Sequence, residues 1–199
     1  MNFDSEPYYK GQDPPEDNTE IENYRLDVQL VKPTYCSFIF LGSDKNDNKK
    51  KVIKLVKLFK KRIGRICDEI ETMSLANHPN ILKIDNHFRY GPFACIVTDY
   101  TPYQSLHHLL LTSYPHGLPE DTAVAIFRQM LLSVNYLHGI NIWHRDIKPD
   151  NFLVFDPDPD HPIIKLADFG FAKLFQEGEY GDEFFGTMEF MPPEMLRCH

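Results

Sequence analysis

Residues 143–154 read Trp-His-Arg-Asp-Ile-Lys-Pro-Asp-Asn-Phe-Leu-Val and form the most informative part of the sequence. It holds Asp146, Lys148 and Asn151 at fixed offsets in a loop that Pro149 stiffens and that opens into an apolar strand. A carboxylate can accept a proton from a hydroxyl, a lysine can neutralise phosphate charge, and an amide oxygen is a hard ligand for Mg²⁺. These are the groups that phosphoryl transfer to a hydroxyl requires.

A second carboxylate follows further along the chain. Residues 163–170 read Ile-Ile-Lys-Leu-Ala-Asp-Phe-Gly, so Asp168 stands at the end of an apolar strand. It could be a second hard ligand for the same ion. A lone Asp-Phe-Gly triplet is common by chance, so it gains weight only together with residues 143–154.

Composition limits the class of protein. The chain has 199 residues, a formal charge of −8 at pH 7, 42% hydrophobic residues and four Cys, which excludes collagen-like, disulfide-rich and wholly disordered proteins. No apolar stretch approaches the ~20 residues of a membrane helix, and the first 20 residues lack the pattern of a secretory signal. The Cys residues form no C-x-x-C pair. We therefore expect free thiols, no zinc site, no membrane contact and a cytoplasmic or nuclear location.

Charge is unevenly distributed along the chain. Residues 45–65 contain ten of the 21 basic residues and one acidic residue, so their net charge is +9, whereas that of the rest of the chain is −17. This window is either a patch for phosphate, nucleic acid or an acidic partner, or a solvated loop followed by an exposed helix face. We favour the second interpretation and expect no nucleic acid partner, because no aromatic side chains alternate with the lysines. Residues 1–20 are acidic and poor in aliphatic side chains, which predicts a disordered tail.

The first half of the chain has mainly the pattern of β-strands. Short runs rich in β-branched and aromatic side chains, such as 36–41, 51–56 and 93–97, indicate strands. One helix interrupts them and ends before Pro79, which cannot continue it. Its apolar stripe consists of Ile63, Ile66, Cys67, Ile70 and Met73.

The helical pattern dominates after residue 101. Acidic residues at 120–121 are typical of a first helical turn, and Gly139 closes the helix. The stripe expected to be buried consists of Phe127, Met130, Leu131, Val134 and Leu137. The sequence therefore predicts an α+β fold in which a small β-rich region precedes a mainly helical one.

Lys54 lies in a strand whose two faces are both apolar. Strand alternation directs its side chain into a buried layer, where an ammonium needs a partner. Glu69 and Glu71 flank the apolar stripe of the following helix, and either could meet it. The alternative is a long side chain that escapes to solvent from a strand end.

Three elements together resemble the eukaryotic protein kinase family. His-Arg-Asp-Ile-Lys-Pro-Asp-Asn at 144–151 is the most specific, followed by Asp-Phe-Gly at 168–170. Residues 186–194, Gly-Thr-Met-Glu-Phe-Met-Pro-Pro-Glu, stand where the family has Gly-Thr-x-x-Tyr-x-Ala-Pro-Glu. The resemblance runs from about residue 24 to 199. It implies a protein-kinase-like two-lobe fold that uses ATP and Mg²⁺ to phosphorylate serine or threonine hydroxyls of a protein substrate.

The resemblance implies a role for each polar residue already named. Asp146 resembles the catalytic base, Lys148 the phosphate-neutralising lysine of serine/threonine-specific members, and Asn151 and Asp168 the Mg²⁺ ligands. Lys54 resembles the lysine on the α- and β-phosphates.

The same resemblance implies further residues around the nucleotide. The family spacing before the His-Pro-Asn segment at 78–80 selects Glu69 as the ion-pair partner of Lys54. The residues expected near the base are Thr98 as the gatekeeper, Asp99, Tyr100 and Thr101 as the segment whose backbone holds adenine, and Leu153. The regulatory spine is expected to consist of Met73, His144 and Phe169.

The phosphate-binding loop departs from the family pattern. Residues 30–38 contain none of the three expected glycines, and Pro33 removes a backbone donor. Val52 stands where the family usually has a smaller alanine above adenine. We expect weak nucleotide affinity and slow turnover, with a kinase-shaped binding module without efficient catalysis as the alternative. Phosphate transfer to a lipid or small molecule is disfavoured, because residues 186–194 serve a peptide substrate in the family.

The segment expected to control activity has few phosphorylation sites. Residues 171–191 contain no Ser and one Thr, Thr187, which the family uses at the substrate site and against Lys148. Glu183 stands where activating phosphothreonines often sit. Our hypothesis is that this fixed carboxylate pairs with Arg145 and orders the segment, and the alternative is a merely acidic loop.

The last residues suggest an incomplete second lobe. In the family, helices that follow Glu194 supply an arginine partner for it, whereas here five residues follow, including Arg197. We expect a fragment, a truncated product or a protein that a partner chain completes. The predicted domains are a tail over 1–20, a β-rich lobe over 21–100 and a partial helical lobe over 101–199.

Overall fold

The computed structural model of the chain describes residues 14–34, 36–176, 178–179 and 185–196. These residues form two compact units. The first comprises the described residues up to Ile70 together with Lys83–Tyr100, and the second comprises Glu71–Leu82 and the described residues from Thr101 onward. Strands dominate the first unit and helices the second, which confirms the predicted α+β class.

The first unit is built on a six-stranded antiparallel sheet of order β1-β2-β3-β4-β6-β5. Its strands are β1 (Glu20–Ile21), β2 (Tyr24–Gln29), β3 (Ser37–Asp44), β4 (Lys50–Lys57), β5 (Ile84–Tyr90) and β6 (Phe93–Asp99). Side chains from all six strands form one buried cluster that includes Leu26, Phe40, Ile53 and Phe93. β4 and β6 are central strands, so their alternate side chains are held in fixed positions on each face.

Helix α1 (Ile63–Leu75) connects β4 to the His-Pro-Asn segment and ends before Pro79, as predicted. Ile66, Ile70 and Met73 of its apolar stripe are buried. The residues after α1 belong to the second unit, not to the β-rich region to which the sequence assigned them. The reason is backbone pairing, because Leu82 N donates to Leu166 O and Leu166 N donates to Asn80 O, both at 2.8 Å.

The second unit combines helices with two short antiparallel sheets, β10-β7 and β8-β9. Its elements are α2 (Leu106–Ser113), α3 (Glu120–Gly139), β7 (Ile142–Trp143), β8 (Phe152–Asp156), β9 (Ile163–Leu166), β10 (Lys173–Leu174) and α4 (Pro193–Leu196). One-turn 3₁₀ helices occupy Pro149–Asn151 and Met188–Phe190. Helix α3 packs against β7 and β9. This packing supports the hairpin of β8 and β9, at whose end the polar loop lies.

The buried face of α3 differs from the predicted stripe. Leu137 is buried as predicted, but Phe127 and Leu131 are 57% and 55% exposed. The face that packs inward also contains Ile126 and the polar Ser133. Ser133 can be buried because its hydroxyl donates to Met130 O at 2.7 Å, an arrangement that hydrophobic periodicity does not detect.

The disordered tail predicted over residues 1–20 overlaps residues that pair with β2 in the structure. Asn18 N donates to Leu26 O and Leu26 N donates to Thr19 O, at 2.6 and 2.9 Å, and Glu20 begins β1. Acidic composition predicted disorder here, but backbone pairing with β2 satisfies these residues regardless of their side chains. Residues 1–13 lie outside the described part of the chain.

A membrane-spanning helix is not found within the residues that the structure describes, since no helix there is both long and apolar enough.

Candidate active site

The polar loop of residues 144–151 runs from β7 into β8 through the 3₁₀ turn Pro149–Asn151. Pro149 opens this turn, where its missing N–H is not needed. Asn151 N donates to Lys148 O at 3.0 Å, and Ala167 N donates to Asn151 O at 2.7 Å. The loop is therefore fixed both to itself and to the residue that follows β9.

Asp146 is the centre of a hydrogen-bonded group of four side chains. Its Oδ2 accepts from Lys148 Nζ and from Asn151 Nδ2, each at 2.9 Å, and its Oδ1 accepts from the Thr187 hydroxyl at 2.8 Å. Lys148 Nζ also donates to Thr187 Oγ1 at 2.6 Å. Asp146 is 4% exposed. The structure thus brings Asp146, Lys148 and Asn151 together as predicted, and it joins Thr187 to them.

The environment of Asp146 favours its ionised form. Burial alone would raise the pKa of this carboxyl, but the hydrogen bonds from Lys148, Thr187 and Asn151 outweigh burial and lower it. A buried carboxylate that remains ionised can accept a hydrogen bond, and then a proton, from an incoming hydroxyl.

His144 anchors the start of the loop to the segment after β9. It is buried, its Nε2 lies 2.9 Å from Ala167 O, and its ring meets that of Phe169 edge to face at 4.9 Å. Burial lowers the pKa of His144. The neutral ring can donate from Nε2 to Ala167 while Nδ1 faces the backbone N–H of Asp146, 3.4 Å away. Phe169 is fully buried and Met73 is buried, so all three predicted spine residues are in the core.

Asn151 and Asp168 lie at the same end of the β8–β9 hairpin. Phe152 pairs with Leu166, so Asn151 immediately precedes the paired region and Asp168 follows it by two residues. Asp168 is exposed and adopts a left-handed backbone with φ 56°, while its neighbour Phe169 is buried. This backbone separates the two side chains, sending the aromatic ring inward and the carboxylate outward.

The donor set at this end of the hairpin fits Mg²⁺. The Asn151 amide nitrogen donates to Asp146 O and Oδ2 at 2.7 and 2.9 Å, which fixes the amide orientation and turns its oxygen away from Asp146. An amide oxygen and a carboxylate are the few protein ligands that Mg²⁺ takes when phosphate oxygens and water complete its shell. Within the described ranges, no group of three or more His, Cys, Asp or Glu residues could hold a metal ion alone.

Arg145 links the polar loop to the segment that follows Phe169. Its Nε donates to Phe171 O at 2.6 Å, and its guanidinium carbon lies 4.7 Å from the Phe185 ring centroid. Phe171 and Phe185 stack on each other at 5.6 Å. Gly186 has φ 115°, and a Cβ there would lie 2.7 Å from Arg145 O. Glu183, the expected partner of Arg145, lies outside the described residues, as does Arg197, and so does the side chain of Glu194.

In the first unit, Lys54 pairs with Glu69. Lys54 Nζ lies 2.6 Å from Glu69 Oε1, and the two side chains are 23% and 7% exposed. Glu71, which periodicity left as an equal candidate, is exposed. The pair joins β4 to α1 and holds the lysine head group in place against a buried carboxylate.

The residues predicted near adenine lie where β6 ends and in the segment after it. Thr98 is buried in β6 opposite Val52 of β4 and Ile84 of β5. Asp99 closes the strand, and Tyr100 and Thr101 follow it, half-buried. In the second unit, the Thr101 hydroxyl donates to Val154 O. Leu153 of β8 is half-buried and bridges Ser105.

The loop between β2 and β3 replaces the expected glycines with a side-chain turn. Thr34 Oγ1 accepts from Ser37 N at 3.0 Å, and Thr34 N donates to Ser37 O at 3.1 Å. These contacts close the tip of the hairpin and occupy the Ser37 N–H, which is then unable to bind a phosphate. Tyr35 lies outside the described residues.

One feature near the predicted adenine segment was missed by the sequence analysis. Lys51 lies between the carboxylates of Asp85 and Asp99, in ion pairs that join β4 to β5 and β6. The positive charge was visible in the basic window, but its partners depend on strand register, which the sequence did not supply.

Comparison with known proteins gives a family match and several similar sequences. The family described as protein kinase domain matches residues 35–199. The serine/threonine-protein kinase GIN4 of Saccharomyces cerevisiae is 37% identical over 129 residues, 64% of this chain and 11% of that protein. The serine/threonine-protein kinase RAD53 of the same yeast is 32% identical over 148 residues, which is 71% of this chain and 17% of that protein.

A third relative matches a larger part of the chain. The probable serine/threonine-protein kinase fhkC of Dictyostelium discoideum is 29% identical over 180 residues, which is 88% of this chain and 29% of that protein. The chain thus spans less than a third of the length of each of these three relatives. With the family match over most of its residues and the Asp146 group in place, the chain belongs to the protein kinase domain family.

Proposed function

We propose that the chain is an ATP-dependent protein serine/threonine kinase that transfers the γ-phosphate of ATP to hydroxyl groups of a protein substrate. The observation that carries this proposal is the Asp146 group, in which a buried carboxylate accepts hydrogen bonds from Lys148, Asn151 and Thr187. The relatives with serine/threonine-protein kinase in their names support the substrate hydroxyl class.

In the proposed reaction, the substrate hydroxyl lies against Asp146 and loses its proton to that carboxylate as its oxygen attacks the γ-phosphorus. The bond between the γ-phosphorus and the β–γ bridging oxygen breaks, and ADP leaves with the electron pair. Asp146 can take this role because its lowered pKa keeps the carboxylate ionised before the hydroxyl arrives. Lys148, 2.9 Å from Asp146, supplies positive charge next to the hydroxyl and the transferred phosphate.

Asn151 and Asp168 would hold Mg²⁺, which when bound neutralises charge on the ATP phosphates. The Asn151 amide is already oriented for this by its two bonds to Asp146. Lys54, held by Glu69, would bind the α- and β-phosphates. The residues thus act mainly by positioning and by electrostatic stabilisation.

A second candidate function rests on the β2–β3 loop. With no glycine in residues 30–38, and with Ser37 N–H bonded to Thr34, the loop offers few backbone donors to phosphate. This favours a kinase-shaped binding module that docks on a substrate or on another kinase without efficient catalysis. The intact Asp146 group favours the enzyme, so the module is the second choice.

Comparing the Asp146→Asn variant with the wild type distinguishes the enzyme from the binding module. Asparagine keeps the side-chain size but cannot accept the proton, so radiolabel transfer from ATP to a serine/threonine peptide library should fall by about 10²–10⁴-fold. The variant should still bind ATP, as measured by thermal shift in the presence of Mg²⁺. Equal transfer by the wild type and the variant would remove Asp146 from its role, and absence of transfer by both would favour the binding module.

A further inference from the structure

Lys51 is held between two carboxylates at the edge of the first unit where β6 ends. Its Nζ lies 2.8 Å from Asp99 Oδ1 and is also bonded to Asp85 Oδ2. The Lys51 side chain is 13% exposed, and those of Asp85 and Asp99 are 29% and 47% exposed. A lysine with two carboxylate partners and little exposure is fixed more firmly than a surface ion pair.

The strand arrangement explains why these three residues meet. Lys51 of β4 is directly opposite Asp99 of β6 in the antiparallel register. The pairing of β5 with β6 shifts between Ile84 and Asn86, so Asp85 is the extra residue at this irregularity. Such an irregularity re-aims a side chain, and here the Asp85 carboxylate reaches the Lys51 ammonium on the far side of β6.

The lysine holds together groups that would otherwise repel. Burial alone would lower the pKa of Lys51, but the hydrogen bonds that it donates to Asp85 and Asp99 reverse this and raise the pKa, so the ammonium stays charged. Replacing it with a neutral side chain would leave two carboxylates facing each other with no cation between them. The side chain of Asp99, the last residue of β6, would then lose its ion pair with β4, and its link through Lys51 to Asp85 of β5.

We infer that Lys51 is a positioning residue for nucleotide binding: by tying Asp99 to β4 and β5, it fixes the start of the backbone segment that receives adenine. The inference rests on the proposed function, because residues 99–101 are the predicted adenine segment. Lys51 acts through the Asp99 backbone and not by touching the phosphates. Its loss should therefore weaken recognition of the base and leave phosphate transfer itself intact.

Adenosine and tripolyphosphate distinguish base recognition from phosphate recognition. In the full chain, Lys51→Met should weaken adenosine binding, measured by calorimetry, and raise the KM for ATP, each roughly fivefold, with kcat within about twofold. The inhibition constant for Mg²⁺-tripolyphosphate should stay unchanged. Lys51→Arg keeps both ion pairs and should restore adenosine binding to within about twofold of the wild type.

The neighbouring Lys50 offers a matched control. It lies in the same strand and pairs with Asp27 of β2 at 2.7 Å. Lys50→Met should leave adenosine binding unchanged. The inference is overturned if Lys50→Met and Lys51→Met weaken adenosine binding equally, or if Lys51→Met weakens tripolyphosphate as much as adenosine.

An unfolded Lys51→Met variant, or a wild type that lacks adenosine binding or phosphate transfer, also has a defined consequence for the inference. If circular dichroism shows that Lys51→Met is unfolded, Asp85→Asn replaces it and should weaken adenosine binding about twofold; unchanged binding would overturn the inference. If the wild type binds no adenosine, the inference also fails. If the wild type binds adenosine in a Lys51-dependent way but transfers no phosphate, the inference holds and the proposed catalysis fails.

Discussion

The Thr187 hydroxyl donates a hydrogen bond to Asp146 at 2.8 Å, although 41 residues separate them in the chain. The same hydroxyl oxygen accepts from Lys148 at 2.6 Å. Thr187 therefore couples the segment at 185–191 to the group that is proposed to accept the substrate proton. It stabilises the charged form of Asp146 and holds Lys148 beside it.

Removing this hydroxyl should impair turnover in a pH-dependent way. We expect Thr187→Ala to lower kcat by about 10–100-fold, because one charge-assisted bond to Asp146 is lost. The pKa of Asp146 should rise, since one of the bonds that lower it is gone, and the acid limb of the kcat profile should move to higher pH. Thr187→Ser keeps the hydroxyl and should restore both kcat and the profile; a serine variant as impaired as alanine would show that the methyl group matters instead.

The Lys54–Glu69 pair should be required for productive ATP use. Glu69→Gln keeps the size of the side chain but removes its charge, so we expect Lys54 to shift and kcat/KM for ATP to fall by at least about tenfold. Steady-state kinetics with varied ATP measure this.

Glu71→Gln is the matched control for this pair. Glu71 lies two residues further along α1 and is exposed, so its neutralisation should change kcat/KM by less than about twofold. A loss of kcat/KM in the Glu71 variant that equals the loss in the Glu69 variant would indicate a general charge effect of the helix, and not a specific ion pair.

Much of the fold could be predicted from sequence because local pattern and motif agreed. The strand runs at 36–41, 51–56 and 93–97 correspond to β3, β4 and β6, and the end of α1 before Pro79 follows from proline chemistry. The residues of the polar loop meet because they are close in sequence. In each case the deciding interaction is local, so the sequence alone contains it.

The features that could not be predicted depend on pairing between distant segments. Periodicity placed Glu69 and Glu71 equally well on either flank of one stripe, and the choice came only from the family resemblance. The irregular pairing at Asp85 depends on how β5 pairs with β6, and so does the ion pair between Asp85 and Lys51. The burial of Ser133 in place of Phe127 depends on which face α3 presents to β7 and β9.

Gly186 should be intolerant of any side chain. Its φ of 115° is unfavourable for other residues, and an added Cβ would lie 2.7 Å from Arg145 O. We expect Gly186→Ala to displace the segment that carries Thr187 and to lower kcat by at least about tenfold, as measured with a serine/threonine peptide. Gly178→Ala is the control, because Gly178 also has a positive φ, 83°, but a Cβ there would meet nothing within 4 Å. Comparable losses in the two variants would mean that backbone strain alone, and not the contact with Arg145, explains the effect.

Asp27 should contribute stability that acid removes. Burial would raise its pKa, but bonds from Lys50, Ser43 and Arg25 lower it from 3.8 to about 2. Because the folded pKa lies below the unfolded one, this stability is complete above about pH 4 and is lost as the pH falls through 2. Asp27→Asn should therefore lower the free energy of unfolding by about 1–2 kcal/mol at pH 7, a figure reduced for the partial exposure of the site. Urea titrations of both proteins should show this difference narrowing between pH 4 and pH 2, and a difference that stays constant over that range would mean that the charge of Asp27 is not what stabilises the sheet.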